Sequence, residues 1–136
     1  MAVPFLCDIA RSMLVAVCGP YLALVDYLAV RPDLEHQVLR TLSYIDAVSL
    51  GKRAQAPALV SIALRDSGCP PAGPFAAANG FGGETRRVVY RYNDHEGGRP
   101  AQLERQIEWL RGTLATKTDL RETPRVCRPT VPLGYW

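Results

Sequence analysis

The sequence predicts an α/β chain built around one strand–helix–strand unit of a doubly wound parallel sheet, with further helices before and after it. Three observations predict this. Pro57 to Leu64 is a nearly continuous apolar run between a proline and Arg65-Asp66, the pattern of a strand buried on both faces. A second β-rich run, Arg86 to Tyr92, follows some twenty residues later, separated from the first by a short Ala-rich segment. The flanking segments carry apolar residues at helical spacing. Two parallel strands do not make a sheet that is stable alone, so the chain reads as one side of a larger sheet.

The elements follow in order. Met1 to Phe5 is a short apolar piece interrupted by Pro4. Asp8 to Val17 is an amphipathic helical run stopped by Gly19 and Pro20. Tyr21 to Val30 is a second helix with Leu24 and Leu28 on one face. Asp33 is expected to cap a third, because its carboxylate can accept first-turn N–H groups. That helix carries Leu34, Val38, Leu42 and Ile45 on one side and Glu35, Gln37 and Arg40 on the other. Asp46 to Gln55 reads as a break. After the first strand, Pro70, Pro71, Gly73 and Pro74 mark a turn, and Phe75 to Asn79 is a short helix. The crossover to the second strand is expected to be right-handed. Asn93 to Pro100 is a loop, and Ala101 to Leu114 is a helix with Leu103, Ile107, Leu110 and Leu114 on one face. Residues 115–136 are interrupted by Pro124, Pro129 and Pro132 and hold no apolar period, so a flexible tail is expected there.

Composition bounds the function. At 136 residues, 48% hydrophobic and 21% charged, the chain fits one small globular domain. A net charge of +3, with no basic stripe interleaved with aromatics, gives no support for nucleic-acid binding. Met13 to Val30 is the most apolar stretch, but Gly19, Pro20 and Asp26 break it, so no membrane span is expected. The N-terminus lacks a basic n-region and a small-residue cleavage site, and the expected location is cytoplasmic. Cys7, Cys18, Cys69 and Cys127 are spaced by 11, 51 and 58 residues, with no CxxC pair. That spacing favours reduced structural thiols over a zinc site or a dithiol redox motif, and no cofactor is expected.

Two residues stand where such a sheet binds ligands. Asp66 lies just past the carboxyl end of the first strand, and His95 lies in the loop past the second. By itself an aspartate at a strand end is most often a turn residue. A histidine flanked by Asp94, Glu96 and two glycines is more specific. Asp94, His95 and Glu96 do not suit a metal, since consecutive residues rarely point at one ion, and the two acids read as solvated. His36 reads as a surface residue and Trp109 as a packing residue.

Four segments resemble the acetyl xylan esterase and cephalosporin-C deacetylase family of α/β-hydrolases. Val3-Pro-Phe-Leu-Cys-Asp8 resembles the segment after its sixth strand, and Thr41-Leu-Ser-Tyr-Ile-Asp46 the segment leading to its seventh. Ala56 to Pro71, ending in Cys-Pro-Pro, resembles the strand and turn that deliver the triad acid. Tyr92-Asn-Asp-His-Glu-Gly-Gly98 resembles the histidine loop. Together the likeness covers roughly residues 2 to 114, and residues 80 to 88 follow it only loosely. It implies a partial α/β-hydrolase fold over residues 1–114.

The resemblance also implies acyl-transfer chemistry, with Asp66 as triad acid and His95 as triad base. Gly97 and Gly98 would let the backbone fold tightly behind the histidine. Acetylated xylo-oligosaccharides or cephalosporin-type esters are the implied substrates, and an oligomer of identical subunits is conceivable. The family's GxSxG serine and its oxyanion donors lie upstream of the matched segment. The nearest local pattern, Ala47-Val-Ser-Leu-Gly51, lacks a preceding strand, so Ser49 is not expected to be a nucleophile. Ser61 and Ser67 have less context still. Arg65, charged where an apolar residue is expected, is a candidate competitor for the Asp66 carboxylate. The alternative class is a non-catalytic remnant acting as a binding or oligomerisation module.

Overall fold

A computed structural model describes residues 4–119. Its elements are α1 (Ile9–Val15), α2 (Tyr21–Val30), a 3₁₀ turn (Pro32–Leu34), α3 (Glu35–Leu42), α4 (Ala47–Gly51), β1 (Ala58–Ala63), α5 (Ala72–Gly80), β2 (Thr85–Tyr90) and α6 (Arg99–Asp119). β1 and β2 pair in parallel, with Ala58 opposite Thr85 and Ala63 opposite Tyr90. All six residues of β1 are buried, as its unbroken apolar run predicts. β2 alternates more, with Val88 buried and Arg86, Arg87 and Val89 exposed.

Side chains alternate across the sheet, so each face has its own cover. Ala58, Val60 and Ile62 pack against Ala78, Phe75 and Phe81 of α5 and its C-terminal end. On the opposite face, Leu59 and Val88 share a crevice with Arg105, Trp109 and Thr113 of α6. Tyr90 joins the same layer: its hydroxyl donates to Gln102 Oε1 at 2.8 Å, and the Arg105 guanidinium lies 5.9 Å from its ring centre. A second cluster gathers Ile9, Met13, Ala16 and Tyr21, with Leu24, Leu28, Leu39 and Leu42 packed around them. Helices α1 to α3 are thus a small bundle beside the sheet, joined to it through α5.

Several expectations change. Asp33 does not cap a helix: Arg31 takes its carboxylate in a two-bond fork at 3.0 and 2.8 Å, Pro32 opens a 3₁₀ turn, and α3 begins only at Glu35. The expected break after Asp46 contains α4, whose five residues are too few to register as a period. Asp46 is its cap. The carboxylate accepts Val48 N at 2.8 Å and also the N–H groups of Asp8 and Ile9 at 3.1 and 2.8 Å, so one side chain holds the starts of α4 and α1. The last helix begins at Arg99 and runs to Asp119. The first five residues of the expected tail therefore continue α6, and residues 120–136 lie outside the described residues.

The face of α6 also differs. Leu103, Ile107 and Leu110 are 57%, 40% and 47% exposed, whereas Gln102 is buried against the sheet. The helix docks through Gln102, Arg105, Trp109 and Thr113, because the layer it meets ends in the polar head of Tyr90. The apolar stripe occupies one face of α6 and points away from the described sheet.

Asp46→Ala removes the acceptor for three N–H groups and is expected to lower unfolding free energy by about 2 kcal/mol. Asp33→Ala, which among the described residues loses an ion pair with an exposed arginine, is expected to leave the urea midpoint unchanged. Equal midpoints for both variants would refute the assignment.

Candidate active site

Parallel pairing puts the carboxyl ends of β1 and β2 side by side, so their following turns emerge together. Those turns are stitched strand-fashion beyond the sheet: Leu64 N donates to Tyr90 O at 2.9 Å and Arg65 N to Asn93 O at 3.2 Å. Side chains then take over. Asp66 Oδ1 accepts Gly68 N at 3.0 Å and Cys69 N at 2.6 Å, which folds the turn tightly around the carboxylate. Its other oxygen, Oδ2, lies 3.0 Å from His95 Nδ1. The Asp66 side chain is 1% exposed and that of His95 66% exposed. A buried carboxylate therefore orients an imidazole whose far edge faces solvent.

Neighbouring carboxylates hold the histidine loop. Asp94 Oδ1 accepts His95 N at 2.8 Å and Ser67 N at 3.2 Å, tying the second loop back to the first. Glu96 accepts Asn93 Nδ2 at 2.8 Å and Asp94 N at 3.0 Å. The amide of Asn93 holds the Glu96 carboxyl below its ordinary range. Both acids are exposed, as expected, yet each serves as a local backbone acceptor; their position on either side of His95 was the signal for that role. Gly97 and Gly98 have φ of 55° and 98°, and a Cβ on Gly98 would run into the Tyr90 ring. Glycine is required at Gly98 on both counts. Arg65 is exposed, and its side chain makes no ion pair with Asp66; Asp66 is left to His95.

An open cavity of about 660 Å³ lies in front of the pair, lined by Phe5, Cys18, Ser67, Cys69, His95 and Glu96 among others. Cys18, exposed, has its Sγ 3.2 Å from Ser67 Oγ. Cys69 is buried beneath, where burial, the Asp66 carboxylate and the Cys18 thiol push its own thiol up to about 11. Spacing alone had not singled out these two cysteines, because they meet only through the packing of the α1–α2 turn on the loop after β1, where Val17 N donates to Ser67 O at 3.1 Å. Among the described residues, no serine hydroxyl hydrogen-bonds His95. Ser49 is exposed on α4 and Ser61 is buried within β1. His36 is exposed on α3, far along the chain from the loop. No helix among the described residues is long and apolar enough to cross a membrane.

A parallel strand pair delivering an acid and then a histidine from successive carboxyl-end loops defines part of an α/β-hydrolase fold. The sequence agrees: a family model described as acetyl xylan esterase (AXE1) matches residues 1–113, and the chain belongs to that family. Among solved structures, the acetyl xylan esterase from Paenibacillus sp. R4 is 34% identical with a TM-score of 0.76, over 81% of this chain and 35% of that one. Acetyl xylan esterase 1 from Thermoanaerobacterium sp. JW/SL YS485 is 33% identical with a TM-score of 0.68, over 76% of this chain and 34% of that one. The chain thus spans about a third of the length of these relatives.

Two predictions test the site's construction. Gly98→Ala is expected to cost about 1–3 kcal/mol in urea unfolding, through its φ and the displaced Tyr90 ring. An unchanged midpoint would contradict the close approach. Iodoacetamide at about pH 8 is expected to label Cys18 but neither Cys69 nor Cys7, since only thiolates react. The thiol pKa values of Cys69 and Cys7 are raised to about 11 and about 12, so each stays protonated until pH rises toward that value. Peptide mapping that found Cys69 modified as fast as Cys18 would refute its burial.

Proposed function

We propose that this chain supplies the acid and the base of a serine carboxylic ester hydrolase, acting on acetylated xylo-oligosaccharides or cephalosporin-type esters. The observation that carries the reading is the 3.0 Å contact between Asp66 Oδ2 and His95 Nδ1. In that arrangement Asp66 keeps the proton on Nδ1, which leaves Nε2 as the basic nitrogen. Nε2 takes the serine hydroxyl proton as the oxygen attacks the acetyl carbonyl, then returns it to the departing sugar alcohol. Water repeats the cycle on the acyl-enzyme, releasing acetate. The buried carboxylate stabilises the imidazolium formed in each half. Because Oδ1 is already engaged by two backbone N–H groups, the carboxylate has one orientation and the imidazole follows it.

The nucleophile and the oxyanion donors are assigned to sequence outside the matched residues, on the same polypeptide or another. The length of the relatives, nearly three times the matched span, and the lack of a serine on His95 among the described residues support this. The cavity beside His95 would receive a small ester.

A second reading, a non-catalytic binding or oligomerisation module, has one observation in its favour: the exposed apolar stripe of Leu103, Ile107 and Leu110.

Labelling with a serine-reactive fluorophosphonate, read by mass spectrometry, separates the two. The chain by itself is expected to stay unlabelled. A chimaera joining it to the upstream part of the Paenibacillus enzyme, where the family resemblance puts the serine, is expected to be labelled and to hydrolyse p-nitrophenyl acetate. In that chimaera Asp66→Asn and His95→Ala should each lower kcat by about 10⁴-fold. Turnover indifferent to His95→Ala would overturn the esterase reading.

A further inference from the structure

We propose that Asp66, Cys69 and His95 form a binding site for a divalent cation of the zinc type. The three residues each offer one donor atom, and these atoms lie within 4.8 Å of one another. A thiolate, an imidazole nitrogen and a carboxylate oxygen are the donor types that zinc takes in protein sites, and three protein donors with one open position is the arrangement of its reactive sites.

The donors, within 4.8 Å of one another, draw in to bind one ion. Metal–donor bonds of about 2.0–2.3 Å in a tetrahedron set donors about 3.3–3.7 Å apart. The Asp66–His95 contact, at 3.0 Å, is already close to this. Cys69 is held by its own backbone, whose N–H is bonded to Asp66. The adjustable member is His95, whose side chain is 66% exposed and would loosen its contact with Asp66 Oδ2 as it approaches the thiol.

Two further features point to a cation. Cys69 is 4% exposed, and among the described residues its Sγ has no hydrogen-bond partner, although it borders the cavity beside His95. The thiol lies within 4.8 Å of donor atoms of Asp66 and His95, and Cys69 and His95 both line the cavity through which an ion would enter. The Asp66 carboxylate is also pre-oriented in the way metal-ligating carboxylates are, with Oδ1 fixed by Gly68 N and Cys69 N and Oδ2 left for the site. Binding releases the Cys69 thiol proton to solvent and moves the His95 proton from Nδ1 to Nε2, which frees Nδ1 to donate. The fourth position faces the cavity, where a water would complete the shell.

This inference does not rest on the esterase reading, because occupancy is measured without any ester. Where both hold, an ion on His95 excludes the serine proton, so the metal switches hydrolysis off.

The test uses the reduced full chain and cobalt(II) as a spectroscopic probe, with zinc(II) as competitor. The expected result is one cobalt per chain, displaced by zinc, with a thiolate-to-cobalt charge-transfer band. That band should vanish in Cys69→Ala and persist in Cys7→Ser and Cys127→Ser. His95→Ala should weaken binding at least about tenfold. Absence of the band in the unmodified chain would overturn the site, as would its survival in folded Cys69→Ala. If Cys69→Ala does not fold, His95→Ala decides, because its exposed side chain is dispensable for packing: unchanged cobalt affinity in that variant overturns the three-residue site.

Discussion

The Asp66 carboxylate is the point on which the site is built. Its two oxygens have separate duties: Oδ1 closes the turn after β1 on the N–H groups of Gly68 and Cys69, and Oδ2 reaches across to His95. A carboxylate that is 1% exposed is tolerated only when its oxygens are hydrogen-bonded. Burial and bonding together therefore fix the orientation that the histidine reads. Asp94 returns the contact in the opposite direction by accepting Ser67 N, so the two loops are clasped from both sides.

That clasp exists because the strands beneath it are parallel and in register. Ala63 lies opposite Tyr90, the strands end level, and the loops leave the sheet on the same side. Tyr90 also faces α6, where it bonds Gln102 and crowds Gly98. The histidine loop is thereby pressed between the end of β2 and the start of α6. On the other side of the cavity, Asp46 anchors α1 by its first N–H groups, and Gly73 lets α5 approach the Cys7 carbonyl. The bundle so positioned presents the Cys18 turn to the loop after β1.

Much of this was legible in the residues. The apolar run at Pro57–Leu64 announced a strand buried on both faces, because burial on both sides erases alternation. Asp66 and His95 stood after two strands, the resemblance implied their pairing, and the structure brings their side chains together. Short-range competition was less legible. Whether an aspartate caps a helix depends on which donor reaches it first, and at Asp33 the nearby Arg31 fork prevailed while at Asp46 free helix N–H groups did. The direction of the α6 stripe was hidden for a similar reason, since periodicity defines a face and not its neighbour. The sequence by itself determined the strand–helix–strand unit and, through its resemblance, the family. Only the tertiary structure decided that Cys18 and Cys69 border the same cavity as His95, because residues 51 positions apart meet through packing between separate elements, which no spacing rule encodes.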